Sequence, residues 1–227
     1  MLQIDTATTK DIMGALGGMS VRDGASHEGK FLFLEWKDER AYNDAQEFIA
    51  SIHPGNLTSE HLNTYYSYAS NIYAAPNIGI TAGLTQVLNA AAALTTSVRF
   101  GGPASSSNQA FMGIGNGTTA VTASDTDLSG TSKSYKGIDP SFPTESLVNG
   151  KATLIWQATF ASGDAQFAWN EALIAATTGT VPPAGSGASA VTTIPASSTL
   201  LAHMLWSPSP LTKGTAVVSA QYSFSVS

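Results

Sequence analysis

Two carboxylates, Asp164 and Glu171, flank a short turn-and-return segment, and a pair of carboxylates is the minimum equipment for glycoside hydrolysis. The local chemistry argues for a different use. In the run Ser162, Gly163, Asp164 the glycine can take positive φ and the aspartate can bond its own backbone, so Asp164 reads first as a turn residue. Asp125 and Asp127 could offer two carboxylates to a hard cation such as calcium, but the glycine and distant glutamate of an EF-hand loop are missing. Gly113, Gly115 and Gly117 spell G-x-G-x-G, yet Thr118 stands where a dinucleotide fingerprint needs its third glycine, so a turn or bulge is the better reading. His27, His53, His61 and His203 have no ligand spacing, and His203, within an apolar strand pattern, reads as structural. There is no G-x-S-x-G elbow, no H-E-x-x-H and no P-loop. We therefore expect no catalytic site, no cofactor and no metal, and a chain that is not an enzyme.

Trp169, Asn170 and Glu171 form the most distinctive group. An Asn and a Glu beside an indole can fix a neighbouring loop by hydrogen bonds, or can bind a sugar by stacking plus polar contacts. The loop-fixing role is favoured, because one aromatic without others nearby is a poor carbohydrate platform.

The elements that must position these residues follow from hydrophobic period. Residues 151–160 alternate, with Leu154, Trp156, Ala158 and Phe160 on one face and Thr153, Gln157 and Thr159 on the other, and residues 166–174 read as the returning strand of a β-hairpin. Further strands are expected at 31–36, 97–100, 110–114 and 199–206. Residues 215–227 form the cleanest, with an outer face of hydroxyls and amides. Helical spacing marks 38–52, then a run capped by Thr58 or Ser59 whose stripe is Leu62, Tyr65, Tyr66, Ala69, Ile72 and Tyr73, then 81–94. Tyr65, Tyr66 and Tyr73 are thereby candidate interaction residues. Residues 176–198 read as a long exposed loop, and 1–37 as an arm that orders on a neighbour. The fold class predicted is α+β: a mostly helical N-terminal region, 1–95, for docking and assembly, then an antiparallel, jelly-roll-like β-sandwich, 96–227.

Composition narrows the partners. Only 11% of residues are charged, and of the 26 charges fifteen fall in residues 1–60 and none in 61–98. A polar, nearly uncharged surface suits a protein packed against copies of itself or a partner. The formal net charge of -6, with no basic cluster, speaks against nucleic acid. With no cysteine there are no disulfides or thiolate metal sites. The N-terminus lacks the pattern of a signal peptide and no run of about twenty apolar residues occurs, so synthesis in the cytoplasm without a membrane partner is expected.

Three stretches carry a resemblance: AFMGIGNGTTAVTASDTDLSG at 110–130, ATFASGDAQFAWNEALIA at 158–175 and LLAHMLWSPSPLTKGTAVVSAQYSFSVS at 200–227. In order and spacing, over roughly 96–227, the chain resembles virion proteins of tailed bacteriophages. The resemblance implies a non-enzymatic structural part of capsid or tail. Taken with the low charge, it points to a capsid decoration (cement) or head-fibre protein that binds the major capsid protein or another virion protein and neighbouring copies, as a homo-oligomer, possibly a trimer, located in the virion. The alternative is a tail-fibre or receptor-binding module whose 176–198 loop and Trp169 contact host glycans.

Overall fold

Residues 217–226 set the pattern for the whole molecule: Val218, Ala220, Tyr222 and Phe224 are buried on one side, and Ser219 and Gln221 are buried on the other. A strand covered on both faces must lie in the interior of a layered structure. The computed structural model describes residues 27–52, 56–76, 78–79, 109–122, 124–148, 151–206 and 211–226. In chain order its elements are β1 (His27–Trp36), α1 (Glu39–Ser51), α2 (Ser59–Ser67), β2 (Ala69–Pro76), β3 (Ile78–Gly79), β4 (Ala110–Gly115) and β5 (Lys133–Gly137). There follow β6 (Thr144–Val148), β7 (Lys151–Phe160), β8 (Glu171–Thr177), β9 (Ser198–Leu205) and β10 (Val217–Val226). They form two antiparallel five-stranded sheets, ordered β2-β1-β10-β7-β6 and β3-β9-β8-β4-β5.

Both sheets contribute to one core. Phe31, Phe33, Trp156, Ala158, Phe160, Tyr222 and Phe224 of the first sheet share it with Met112, Ile114, Ala172, Ile174 and Met204 of the second. Aromatic pairs organise its centre, with Phe33 edge-on to Trp169 at 5.7 Å and Phe160 edge-on to it at 5.2 Å between ring centroids. Each such pair adds about 1 kcal/mol to the larger gain from burial.

The far face of the first sheet is polar, and the two helices cover part of it. Asp38 caps α1 by accepting from the Ala41 N–H at 2.8 Å, and Thr58 with His61 forms a capping box on α2. Tyr65 of α2 donates from Oη to Gln157 Oε1 at 2.7 Å, which also accepts from Gln221 Nε2 at 2.8 Å. Tyr66 donates to Gln221 Oε1 at 3.1 Å, and Gln46 Nε2 of α1 donates to Tyr65 Oη at 2.9 Å. Beside this lies a second chain of bonds: Trp36 Nε1 donates to Ser219 Oγ at 2.7 Å, and Ser219 Oγ lies 2.6 Å from Thr159 Oγ1, which donates to Asp139 Oδ2 at 2.6 Å. The hydroxyl-and-amide face of 215–227 is therefore, at Ser219 and Gln221, an internal seam filled by this chain's own helices. That corrects the expectation of an outward face there.

Four further expectations change. The N-terminal region is not mostly helical: its described part supplies β1, β2 and β3 and only two helices, and β1 sits between β2 and β10. The second helix stops at Ser67, and Tyr73 lies instead on β2, opposite Phe33 of β1. Spacing could not separate the two, because a stripe ending in Ala69, Ile72 and Tyr73 also offers an alternating strand, and β1 needs a partner. Residues 151–175 are not a hairpin: β7 pairs with β10 and β6, whereas β8 pairs with β4 and β9 in the other sheet. Residues 161–170 cross between the layers, anchored by Trp169 in the core. The 176–198 loop is pinned, not free: the Tyr135 N–H donates to Val191 O at 2.8 Å, Val191 N–H returns to Tyr135 O at 3.1 Å, and Gly137 N–H donates to Pro183 O at 2.9 Å. It thereby covers the edge strand β5. The expected helix at 81–94, the strand at 97–100, the boundary near 95 and the arm before residue 27 lie outside the described residues.

The seam under the helices makes a graded prediction. Gln157→Leu removes the acceptor of Tyr65 Oη and Gln221 Nε2 and one of the donors to Asp139 Oδ2, and is expected to cost about 3 kcal/mol, whereas Tyr66→Phe removes one half-buried bond and should cost about 1 kcal/mol or less. Urea unfolding of the two variants measures the difference.

Candidate functional site

β8 opens with a glutamate on a strand that is otherwise Ala, Leu, Ile and Thr, and all seven of its residues are buried. A carboxylate carried into that position needs a complete set of donors. Glu171 has five. Its Oε1 accepts from Gly117 N–H at 3.0 Å and Gly130 N–H at 2.7 Å, and its Oε2 accepts from Ser129 N–H and Ser129 Oγ, both at 2.9 Å, with His203 Nε2 at 3.3 Å. Burial alone would push its pKa up, but the bonds from His203, Ser129 and Gly130 outweigh burial and hold it at about 2.

The glycines around it are required by space. A Cβ on Gly115 would lie 2.4 Å from Glu171 Oε1, and one on Gly117 would lie 2.3 Å from the same oxygen and 2.1 Å from Ser129 Oγ. A Cβ on Gly113 would meet the Tyr135 ring at 2.7 Å. The G-x-G-x-G spacing thus exists because alternate positions of β4 and its extension face bulky groups, Tyr135 and then Glu171, across the sheet.

The neighbouring residues extend the clamp. His203 Nδ1 lies 2.8 Å from Asp125 Oδ2, so the ring spans two carboxylates. Asp125 also caps its own turn, accepting from Thr122 N–H at 3.0 Å and Thr122 Oγ1 at 2.6 Å. Asn170 donates from Nδ2 to Asn116 O at 3.1 Å and from its backbone to Gly115 O at 3.0 Å, and its own carbonyl accepts from Trp206 N–H. Asn116 Oδ1 in turn accepts from Ser132 N–H at 3.0 Å. Asn170 and Glu171 together tie residues 115–132 onto the second sheet.

Trp169 plays a different part. It is fully buried, its Nε1 donates to Ala165 O at 3.0 Å and its ring packs on Phe33 and Phe160. It is a core residue and presents no surface to a sugar, which corrects its expected place among glycan contacts. Tyr65 is likewise fully buried and Tyr66 half-buried against the sheet. Tyr73 is half-buried, its ring near Trp206 and its Oη donating to Glu35 Oε2 at 3.3 Å. The three tyrosines do not converge on one exposed patch.

The other acidic candidates are also occupied. Asp127 accepts from Leu128 N–H at 2.7 Å, Lys133 Nζ at 2.8 Å and Tyr135 Oη. Asp164 accepts from Ala161 N–H at 3.1 Å and Ala190 N–H at 2.9 Å, and shares no partner with Glu171. Among the described residues no group of three or more His, Asp or Glu is placed to hold a metal ion, and no helix is long and apolar enough to cross a membrane.

A second buried cluster escaped the sequence reading. Lys136, Asp139 and Lys213 lie in segments that look like turns or loop margins, and nothing in their spacing announces burial. Asp139 accepts from Gln157 Nε2 at 2.9 Å, Thr159 Oγ1 and N–H, and Gly185 N–H. Burial raises its pKa despite those bonds. Lys213 donates to Ala161 O at 2.6 Å and Asp164 O at 2.7 Å, and burial lowers its pKa to about 8. An open groove near Asp127 and Lys133 is walled by Gln166, Phe167, Thr192 and Ile194.

No protein-family model matches the chain, and no curated protein and no solved structure is significantly similar to it.

The Glu171 clamp predicts a pH signature. Its folded pKa lies below the ordinary carboxylate value, so its stabilisation is complete above about pH 4.5 and is lost as pH falls toward 2. Glu171→Gln should therefore cost about 2–4 kcal/mol at neutral pH, with the gap to the parent narrowing through that acid window. Thermal unfolding of both proteins from pH 7 to pH 2 reads the gap, and a constant gap would contradict the assignment.

Proposed function

We propose that the chain is a structural component of a tailed-bacteriophage virion, a capsid decoration or head-fibre protein that binds the shell and neighbouring copies, and that it is not an enzyme. One observation carries this reading. The three stretches with the resemblance meet around the buried Glu171 carboxylate: Asn116, Gly117, Asp125, Ser129 and Gly130 from the first, Asn170 and Glu171 from the second, His203 and Trp206 from the third. What those stretches have in common is thus a brace between loops and sheet. A general base needs an accessible lone pair within reach of a substrate proton, whereas both oxygens of Glu171 are already engaged inside the protein.

Other features support assembly. β1 pairs with β10 and β3 with β9, so early and late parts of the chain are joined within each sheet. β2 forms an edge of the first sheet, and on it Ile72 is 48% exposed, the large apolar side chain left uncovered among the described residues. With few charges on the surface, association would be driven by apolar burial and neutral hydrogen bonds and would depend little on salt. The receptor-binding alternative loses Trp169 and keeps only the outer turns of residues 183–197, several of which are exposed.

On this reading the purified chain self-associates at micromolar concentration and co-sediments with capsids that lack it, with less than about a threefold change in affinity between 0.05 and 0.5 M salt. Light scattering and co-sedimentation test both points. A monomer at every concentration that ignores capsids would refute the proposal, and retention on a glycan array would favour the alternative.

A further inference from the structure

Lys136 and Asp164 are an unusual pair. Lys136, on β5 of the second sheet, has a fully buried side chain, and its Nζ lies 3.6 Å from Asp164 Oδ2 in the crossing between the sheets. The ammonium is held by two main-chain acceptors of the pinned loop, Gly185 O at 2.7 Å and Ala188 O. The carboxyl of Asp164 is gripped from both sides, Oδ1 by Ala190 N–H and Oδ2 by Ala161 N–H. Such donors polarise a carboxyl carbon and stabilise the oxyanion that forms when it is attacked. Fully buried Asp139 accepts from the N–H of Gly185, the same residue whose carbonyl holds Lys136, and so fixes that part of the loop over the pair.

We infer that Lys136 and Asp164 form a self-made amide cross-link, joining the edge strand of one sheet to the segment that leaves the other. The step balances without any co-reactant. The Lys136 ammonium passes one proton to the Asp164 carboxylate across their ion pair, and the neutral amine attacks Asp164 Cγ. The N–C bond forms, one C–O bond breaks, and the departing oxygen leaves as water, carrying that proton and the second one the nitrogen loses on becoming an amide. An ion pair plus nothing else becomes an amide plus water, and holding the reacting groups in contact supplies the orientation that the same reaction lacks in solution. Burial acts in the required direction on the amine, lowering the pKa of Lys136. The product replaces a buried ion pair, whose desolvation is costly, with a neutral group.

Intact-mass measurement of the full chain under denaturing conditions tests this directly. The expected mass is lower than the sequence mass by one water. Trypsin should fail to cut after Lys136, and the peptide containing it should be recovered joined to the peptide containing Asp164. Asp164→Asn makes the same amide by losing ammonia, so its product should have the same mass as the cross-linked parent. Lys136→Arg and Asp164→Ala should keep their full sequence mass. A folded parent chain of full sequence mass, or a water loss mapped to any other residue, would overturn the proposal.

Discussion

A carboxylate without water must be given its hydrogen bonds by the protein, and Glu171 imposes that requirement on a large part of this fold. Five donors reach it, three of them main-chain N–H groups from residues 117–130, and those groups can converge only if the chain between β4 and β5 folds back over the second sheet. Convergence in turn forbids a Cβ at Gly115 and Gly117. One buried charge thus dictates a loop path, a glycine pattern and the placement of His203 and Asp125.

The same principle recurs on the opposite side of the molecule in neutral form. Gln157, Thr159, Ser219 and Gln221 make a polar sheet face, and such a face is stable away from solvent only if something with matching donors and acceptors lies on it. The helices supply Tyr65, Tyr66 and Gln46, and β1 supplies Trp36. This explains why two short helices of modest apolar content belong to the sandwich: they dock through hydrogen bonds as well as through Tyr42, Ala45, Ile49 and Leu62. Hydrogen bonds are directional, so the seam fixes where the helices sit more tightly than apolar contact alone could.

How much of this was legible in the residues depended on whether the signal was local. The alternations of β7 and β10, the spacing of α1, and the caps Asp38 and Thr58 are properties of short windows and could be read directly. The partner of β8 could not, because a strand buried on both faces loses its alternation, and a turn followed by a second apolar run looks the same whether the chain returns to its own sheet or crosses to the other. Tyr73 failed for a related reason, since its strand exists to pair with β1, about forty residues earlier in the chain. The preference for hydrogen bonding to a loop over sugar binding at Asn170 and Glu171 was legible because a lone indole makes a poor carbohydrate platform. Lys136, Asp139 and Lys213 were invisible: charged residues in apparent loops read as solvated, and only the path of residues 182–191 over β5 puts Lys136 and Asp139 inside.

That loop also resolves a tension in the composition. A chain with so few charges cannot use them freely on its surface, yet several are spent in the interior, where each one fastens a segment with no regular structure: Glu171 the 116–130 loop, Asp139 and Lys136 the 182–191 loop, Lys213 and Asp164 the crossing between sheets. Irregular segments have few backbone partners of their own, so side-chain anchors replace the missing ladder. Segments fastened in this way have little conformational entropy left to lose when another surface covers them.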